Sequence, residues 1–279
     1  MATVSALSHP APVMKRPPLG WLVHDGLVVT KRNLIQTLRV PESVFFSLVQ
    51  PVIFVIMFAY VFGGAIPIAP GAGPDAYREY LVPGIFAQTV AFAAASSTIG
   101  LAEDMHKGVV DRFRSLPMAA SAVLFGRTAA DAARQVLVLF VLSITGLVVG
   151  WRIHNGFVDA LEAYLLLLLF AYTVSWVGLH MPNPETANTA GLIWLFPLTF
   201  LSNLFVPITG MPPGIKFIAE WNPISSLALA CRQLFGNPTG IPSDAWSLQH
   251  PVTYTVISCV VIIAIFAPLA VRHYRRSSS

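Results

Sequence analysis

Charged residues are scarce in this chain of 279 residues: Asp, Glu, Lys and Arg make up 11% of positions, whereas 55% are hydrophobic. A soluble domain carries about 25% charged residues, because its surface has to be covered by side chains that water solvates well. This chain has too little charge to cover a soluble core of its size. The composition therefore predicts a protein whose main solvent is the lipid bilayer.

Motifs of catalysis and metal binding are also missing. The two cysteines, Cys231 and Cys259, lack the close spacing of a metal or redox pair, so we expect two small buried hydrophobic side chains. The sequence contains no GxSxG, HExxH or GxxxxGK[ST] pattern. Its seven histidines are scattered along the chain. We therefore predict no enzyme activity, no catalytic residues, and no metal or cofactor bound by this chain.

What the chain has instead is a set of six apolar runs, each long enough to cross about 30 Å of hydrocarbon as a helix of about 20 residues. The predicted spans are Ser43–Phe62, Leu81–Leu101, Ala133–Trp151, Ala160–His180, Ala187–Ile208 and Pro251–Val271. The middles of all six are free of charge, whereas a proton-coupled carrier keeps a carboxylate or histidine there. This pattern disfavours a secondary carrier.

Two further segments complete the predicted all-α, polytopic fold. Gly20–Leu38 has an apolar stripe and predicts a helix in the membrane interface, with a soluble amphipathic helix packed on a partner as the alternative. Ile215–Trp221 and Ile224–Phe235 predict an outer helical hairpin that re-enters the membrane or lies flat on it. We expect a disordered cytoplasmic tail over 1–19, one transmembrane domain over 20–271 and a cytoplasmic tail over 272–279.

The orientation follows from the distribution of Lys and Arg between the connections. One side of the predicted membrane receives 13 of the 17 basic residues and the other receives four, Arg78, Arg152, Lys216 and Arg232. Cytoplasmic loops carry the excess of Lys and Arg, so both termini are predicted to be cytoplasmic. The basic residues lie between apolar runs and not on one solvated face, which disfavours nucleic-acid binding.

The most highly charged stretch is Glu103–Arg134, which holds nine of the thirty charged residues. Within it, Met105, Val109, Val110, Phe113 and Leu116 fall on one side of a helix, with Lys107, Asp111 and Arg114 on another. Pro117 would end that helix. The pattern predicts a short cytoplasmic helix that contacts the bilayer, its own bundle or a soluble protein, or that serves only as a solvated connector.

The sequence of this stretch, GVVDRFRSLPMAASAVLFGR at Gly108–Arg127, resembles the cytoplasmic signature of type-2 ABC exporter permeases. A second resemblance covers Phe196–Ile215 and Asn222–Leu234 and is similar to the drug- and lipid-exporting branch typified by daunorubicin-resistance permeases. Asn203 departs from the family pattern, in which a small residue such as Gly is common, so local packing may differ there.

The resemblance implies a permease in the cell membrane that pairs with a second permease and with separate ATP-binding subunits, which hold ATP and Mg. It also implies that the cytoplasmic segment is a coupling helix docked on the ATP-binding subunit. The residues assigned to that interface are Glu103, Gly108, Asp111, Arg112, Phe113, Arg114, Leu116 and Pro117.

The expected function is export of a hydrophobic drug or lipid-like molecule. Neutral polar or aromatic side chains in the spans are the candidates for the substrate path: Gln50, Gln88, Thr89, Tyr172 and Asn203. A buried amide needs a partner and should face inward, which favours Gln88 and Asn203. The alternatives are a polysaccharide or glycolipid exporter of the same family, a secondary carrier, and a membrane-embedded enzyme acting on lipids.

Overall fold

The computed structural model describes residues 19–39, 41–63, 66, 68, 73–93, 120–179, 193, 195–240 and 242–276. These residues form helices joined by turns and irregular segments, and none of them forms a strand, so the all-α prediction is confirmed. The helices are α1 (Leu19–Leu38), α2 (Pro41–Met57, continued by a π-helical turn at Phe58–Phe62), α3 (Pro74–Ala91), α4 (Ala120–Val149), α5 (Phe157–Gly178), α6 (Phe196–Phe200), α7 (Pro213–Glu220), α8 (Pro223–Phe235), α9 (Trp246–Gln249) and α10 (Pro251–Arg276).

Three helices of the described chain are long and apolar enough to cross a membrane. They are Leu124–Val149, Phe157–Gly178 and Pro251–Arg272, and they correspond to the predicted third, fourth and sixth spans. A shorter apolar helix at Leu48–Phe62 lies within the predicted first span. The chain therefore has the helices of a membrane protein, while the total of six spans stays a prediction.

The third span begins earlier than predicted. The predicted third span begins at Ala133, but the helix that contains it, α4, already begins at Ala120. The alanine-rich sequence favours a helix. Nε of Arg127 lies 3.7 Å from Oδ2 of Asp131, which is one turn further along that helix. The charges of this segment thus lie on a continuous helix that enters the bundle, and not on a separate linker.

The predicted fifth span is not a continuous helix in its described part. Only Phe196–Phe200 (α6) is α-helical, and the backbone from 201 to 207 is irregular although Ser202, Asn203, Leu204 and Phe205 are buried. Ser202 bonds back to the carbonyl of Thr199, which competes with helical bonding. Buried irregular backbone must find other hydrogen-bond partners, so this segment needs polar groups from elsewhere in the fold.

The helical hairpin is present as α7 and α8. Asn222 caps α8, since its side-chain oxygen accepts a hydrogen bond of 2.9 Å from the Ile224 amide, and Pro223 occupies the first turn. Gly236 ends the helix in the left-handed conformation, with φ of 74°. Helix α8 packs against α3, α5 and α10 and is buried over most of its length. It is therefore an internal helix, which excludes the alternative that both hairpin helices lie flat on the surface.

Two ends of the bundle can be distinguished. At the hairpin end, His154 Nε2 lies 2.7 Å from Glu79 Oε1, and the His154 amide donates a hydrogen bond of 2.8 Å to the Phe235 carbonyl. This end joins the start of α3, the connection between α4 and α5, and the end of α8. At the other end, called the α1 end, Leu124, Trp176 and Ala270 pack together near the start of α4 and the ends of α5 and α10.

Helix α1 packs closely on the first turns of α4 through Gly126. A Cβ atom at Gly126 would lie 2.6 Å from both the Gly26 carbonyl oxygen and the Val29 Cβ. The Thr30 hydroxyl donates a hydrogen bond of 3.1 Å to the Gly126 carbonyl. The opposite face of α1 exposes Leu27 and Val28. Helix α1 is therefore held by its own bundle on one side and presents apolar side chains on the other.

Candidate functional site

The most unusual side chain in the described structure is Arg232, an arginine in α8 with no exposed surface. Its Nε donates a hydrogen bond of 2.8 Å to the Tyr80 carbonyl on α3. Its Nη2 donates to the carbonyls of Asn203, at 3.0 Å, and Leu204, at 2.9 Å, in the irregular segment. One guanidinium group therefore supplies hydrogen-bond donors to two buried carbonyls of the broken fifth span.

The charge of Arg232 is stabilised without a salt bridge to any carboxylate of the described residues. Its Cζ lies 3.5 Å from the centre of the Tyr80 ring, within the range of a cation–π contact. It also occupies the last turn of α8, where the helix dipole favours a cation. The positive charge is balanced by carbonyl oxygens, an aromatic face and a helix terminus.

Tyr80 and Gly84 make the close approach of α3 to the irregular segment possible. The Tyr80 hydroxyl donates a hydrogen bond of 2.6 Å to the Asn203 carbonyl. A Cβ atom at Gly84 would overlap the Leu204 carbonyl oxygen and lie 3.0 Å from Nη2 of Arg232. Helices α3 and α8 and the segment 201–207 therefore form one packed unit, which we call the Arg232 cluster.

A cavity of about 260 Å³ lies beside this cluster at the hairpin end. Its floor is formed by buried side chains, namely Tyr80, Asn203, Ile208, Leu229 and Leu248. Its rim includes the exposed residues Gln233, Thr239, Pro242 and Gln249. The cavity is thus bounded by the irregular segment, by α8 and by the chain that follows α8.

The five predicted substrate-path residues do not line one cavity. Asn203 lies at the cavity floor, whereas Gln88 is buried on α3 about 12 Å from the level of Tyr80, given the helical rise. The carbonyl of its neighbour Thr89 accepts a hydrogen bond of 3.3 Å from Gln135. Gln50 is exposed on α2.

Tyr172 lies near the α1 end, where its ring is 6.3 Å from those of Phe125 and Trp176. If these five residues all contact a substrate, they do so at different depths.

The predicted contact with an ATP-binding subunit, from Glu103 to Pro117, lies outside the described residues.

The prediction for the two cysteines is confirmed, since both side chains are buried and neither forms a disulfide. Over the described residues no group of His, Cys, Asp or Glu could hold a metal ion. The part of the chain that the structure describes therefore offers hydrogen-bonding and packing contacts around Arg232, and no metal-binding group.

Sequence reasoning missed the role of Arg232, which we counted as a charge of the outer connection. A signal was present, because Arg232 is the only charged residue in the helix PISSLALACRQLF, whose ends are marked by Asn222 and Gly236. A lone ionisable residue in an apolar buried segment normally has a specific partner. Its partners are backbone carbonyls, however, and these carry no sequence signature.

Comparison with known proteins identifies the family to which the sequence is similar. The family model described as "ABC-2 type transporter" matches residues 26–235. A daunorubicin resistance ABC transporter permease protein of Streptomyces coeruleorubidus is 32% identical over 271 residues, covering 95% of this chain and 91% of that protein.

Two more distant relatives extend the comparison. A doxorubicin resistance ABC transporter permease protein of Mycobacterium tuberculosis is 27% identical over 229 residues, or 77% of this chain and 78% of that protein. A putative transport permease of Cyanophora paradoxa is 22% identical over 251 residues, or 88% of this chain and 86% of that protein.

Proposed function

Because this chain belongs to the ABC-2 type transporter family, we propose that it is the permease subunit of an exporter driven by separate ATP-binding subunits. The observation that carries the proposal is the match to a drug-resistance permease over 95% of this chain and 91% of the relative. The cargo is a hydrophobic drug or a lipid-like molecule. The complete transporter contains two permease subunits, and ATP and Mg are bound by the ATP-binding partner.

The permease lies in the cell membrane with the hairpin end outside and the α1 end in the cytoplasm. Basic residues near the α1 end include Lys31, Arg127 and Arg272, which agrees with the cytoplasmic excess expected from loop charges. At the hairpin end, the ring centre of Tyr254 lies 6.0 Å from that of Trp221 and 6.2 Å from that of Trp246. Tryptophan and tyrosine collect at membrane–water boundaries, so this group is suited to the outer interface.

The ATP-binding subunit contacts the permease through the chain between α3 and α4, and the free energy of ATP hydrolysis is transmitted to the helices at that contact. Helix α3 starts at the hairpin end, where Glu79 contacts His154, and α4 finishes there next to Trp151. The start of α4 therefore lies at the α1 end, where Leu124 packs with Trp176 and Ala270. Because α4 continues without a break from Ala120 to Val149, a force applied at its start is transmitted through a rigid helix toward the hairpin end.

Reversing two charges of this segment tests the proposal. In Arg112→Glu with Arg114→Glu, we expect recruitment of the ATP-binding subunit to fall at least tenfold, because like charges then oppose the contact. Substrate-stimulated ATP hydrolysis in the reconstituted complex should fall with it. Affinity capture of the ATP-binding subunit by the tagged permease measures the first effect, and phosphate release measures the second.

A matched control reverses two exposed arginines of the described structure, in Arg152→Glu with Arg272→Glu. This variant carries the same change in net charge and should retain the ATP-binding subunit and its stimulated hydrolysis. Both variants should insert into the membrane as the wild type does. Normal stimulated hydrolysis in the Arg112 and Arg114 variant would show that this segment does not couple ATP to export.

A further inference from the structure

Helix α1 lies at the depth where the apolar part of α4 begins. It packs closely on α4 at Gly126, where a Cβ atom would lie 2.6 Å from the Val29 Cβ. The stretch of α4 that is long and apolar enough to cross a membrane begins at Leu124. Because the length of such a stretch matches the thickness of the hydrocarbon, its ends mark the boundaries of the bilayer core. Helix α1 therefore lies close to one of these boundaries.

The face of α1 that points away from α4 carries a shallow groove of about 540 Å³. The described residues that line the groove recur at spacings of three and four positions: Val28, Lys31, Arg32, Ile35 and Arg39. Residues at these spacings lie above one another on a single face of a helix. No acidic side chain is among these lining residues. The groove is therefore a positively charged stripe along α1.

The groove combines positive charge with apolar surface. Lys31 and Arg39 are exposed, and neither forms an ion pair with another described residue. Val28 and Ile35 are 55% and 42% exposed on the same stripe. Asp25, the only acidic residue of α1, precedes these residues in the helix and does not line the groove. A complementary ligand has to offer negative charge and apolar surface together.

An anionic phospholipid offers both. Its phosphate accepts charge-assisted hydrogen bonds from ammonium and guanidinium groups, and the aliphatic stems of Lys and Arg lie along apolar surface while their charged ends reach the head group. Inorganic phosphate or a nucleotide would leave Val28 and Ile35 in water. The chain that follows the groove, in α2, exposes the apolar residues Phe45 and Ile53, a surface suited to acyl chains.

We propose that the groove on α1 binds the head group of an anionic phospholipid, such as phosphatidylglycerol, in the leaflet at the α1 end. Lys31, Arg32 and Arg39 contact the phosphate, whereas Val28 and Ile35 contact the glycerol backbone and the first methylenes of the acyl chains. This leaflet is the cytoplasmic one in the orientation proposed above. Binding of the lipid by the chain does not depend on the proposed export function.

Native mass spectrometry of the detergent-purified full chain, titrated with dioleoyl phosphatidylglycerol or dioleoyl phosphatidylcholine, tests the proposal. The two lipids have the same acyl chains, but only phosphatidylglycerol has a net negative charge. We expect the first phosphatidylglycerol to bind at least tenfold more tightly than the first phosphatidylcholine. Each basic residue near an anionic lipid surface contributes a factor of roughly five to binding. Lys31→Gln with Arg39→Gln should therefore weaken phosphatidylglycerol binding at least tenfold and leave phosphatidylcholine binding unchanged.

A matched control removes two positive charges at the hairpin end, in Arg152→Gln with Lys216→Gln, and should keep the wild-type affinity for phosphatidylglycerol. Equal affinity for the two lipids, or an undiminished preference in the Lys31 and Arg39 variant, would overturn the proposal. Displacement of the lipid by an excess of inorganic phosphate would also overturn it, because the groove would then recognise the phosphate alone.

The ATP-binding subunit is the competing occupant of the groove. If the Lys31 and Arg39 variant lost recruitment of that subunit but kept its affinity for phosphatidylglycerol, the groove would be a protein contact and the lipid proposal would be wrong. Failure of drug export by a chain that binds phosphatidylglycerol as expected would count against the proposed function alone.

Discussion

Replacing Arg232 with methionine should destabilise the permease by several kcal/mol, because each buried carbonyl oxygen that is left without its donor costs about 1–3 kcal/mol. The carbonyls of Tyr80 and Leu204 would each lose the guanidinium donor, and the Asn203 carbonyl would keep only the Tyr80 hydroxyl. These groups are buried, so water cannot replace the guanidinium. We expect a large fall in the midpoint of thermal unfolding of the detergent-purified protein and a fall in its amount in the membrane.

Two further variants separate charge from geometry. Arg232→Lys keeps the positive charge but cannot reproduce the planar set of donors, so it should recover only a small part of the stability. Arg152→Met removes an exposed arginine that also donates to carbonyl oxygens, those of Leu147 and Trp151. It should have little effect, because solvent replaces those contacts. Equal unfolding midpoints for Arg232→Met and Arg152→Met would contradict the structural role assigned to Arg232.

Replacing Trp151 with alanine should cost about 3–5 kcal/mol, as is usual for a fully buried tryptophan. Trp151 has no exposed surface, and its ring packs edge-on against Phe86 at 5.4 Å and Phe235 at 5.2 Å. It joins the end of α4 to α3 and α8. Because the hairpin helix is held there, we expect its loss to raise proteolysis of the outer connection as well as to lower the thermal midpoint.

The conservative variant Trp151→Phe divides this effect into packing and hydrogen bonding. The Trp151 Nε1 donates a hydrogen bond of 2.7 Å to Asn237 Oδ1, and Asn237 Nδ2 donates at 2.7 Å to the Arg152 carbonyl. Phenylalanine keeps most of the ring packing but leaves Asn237 Oδ1 without its donor, which costs about 1–3 kcal/mol. Its unfolding midpoint should fall between wild type and Trp151→Ala. A midpoint for Trp151→Phe as low as that of Trp151→Ala would contradict a mainly packing role.

The elements predicted best are those whose sequence signals are local. Apolar length identified the helices at Leu124–Val149, Phe157–Gly178 and Pro251–Arg272, and Asn222, Pro223 and Gly236 mark the ends of α8 by their capping chemistry. The predicted start of the third span, Ala133, was wrong because apolar length gave no sign that the charged residues before it belong to the same helix, α4. Arg127 and Asp131 instead lie on one helix, 3.7 Å apart.

The features that could not be predicted depend on distant parts of the chain. The break after Phe200 requires donors for backbone carbonyls, and these come from Arg232, Asn222 and Tyr80. Hydropathy describes 187–208 as a span because its side chains are apolar, and it contains no information on the backbone. The cavity could not be predicted for the same reason, because its lining residues Tyr80, Asn203 and Leu248 come from separate parts of the sequence.

The most direct measurement of the central claim is uptake of a hydrophobic fluorescent drug into inside-out proteoliposomes that contain this chain with its ATP-binding subunits. The account predicts uptake that requires ATP hydrolysis, disappears when either subunit is omitted, and is lost in the Arg112→Glu with Arg114→Glu variant. Uptake by this chain alone, driven by a proton gradient without ATP or a partner subunit, would contradict it.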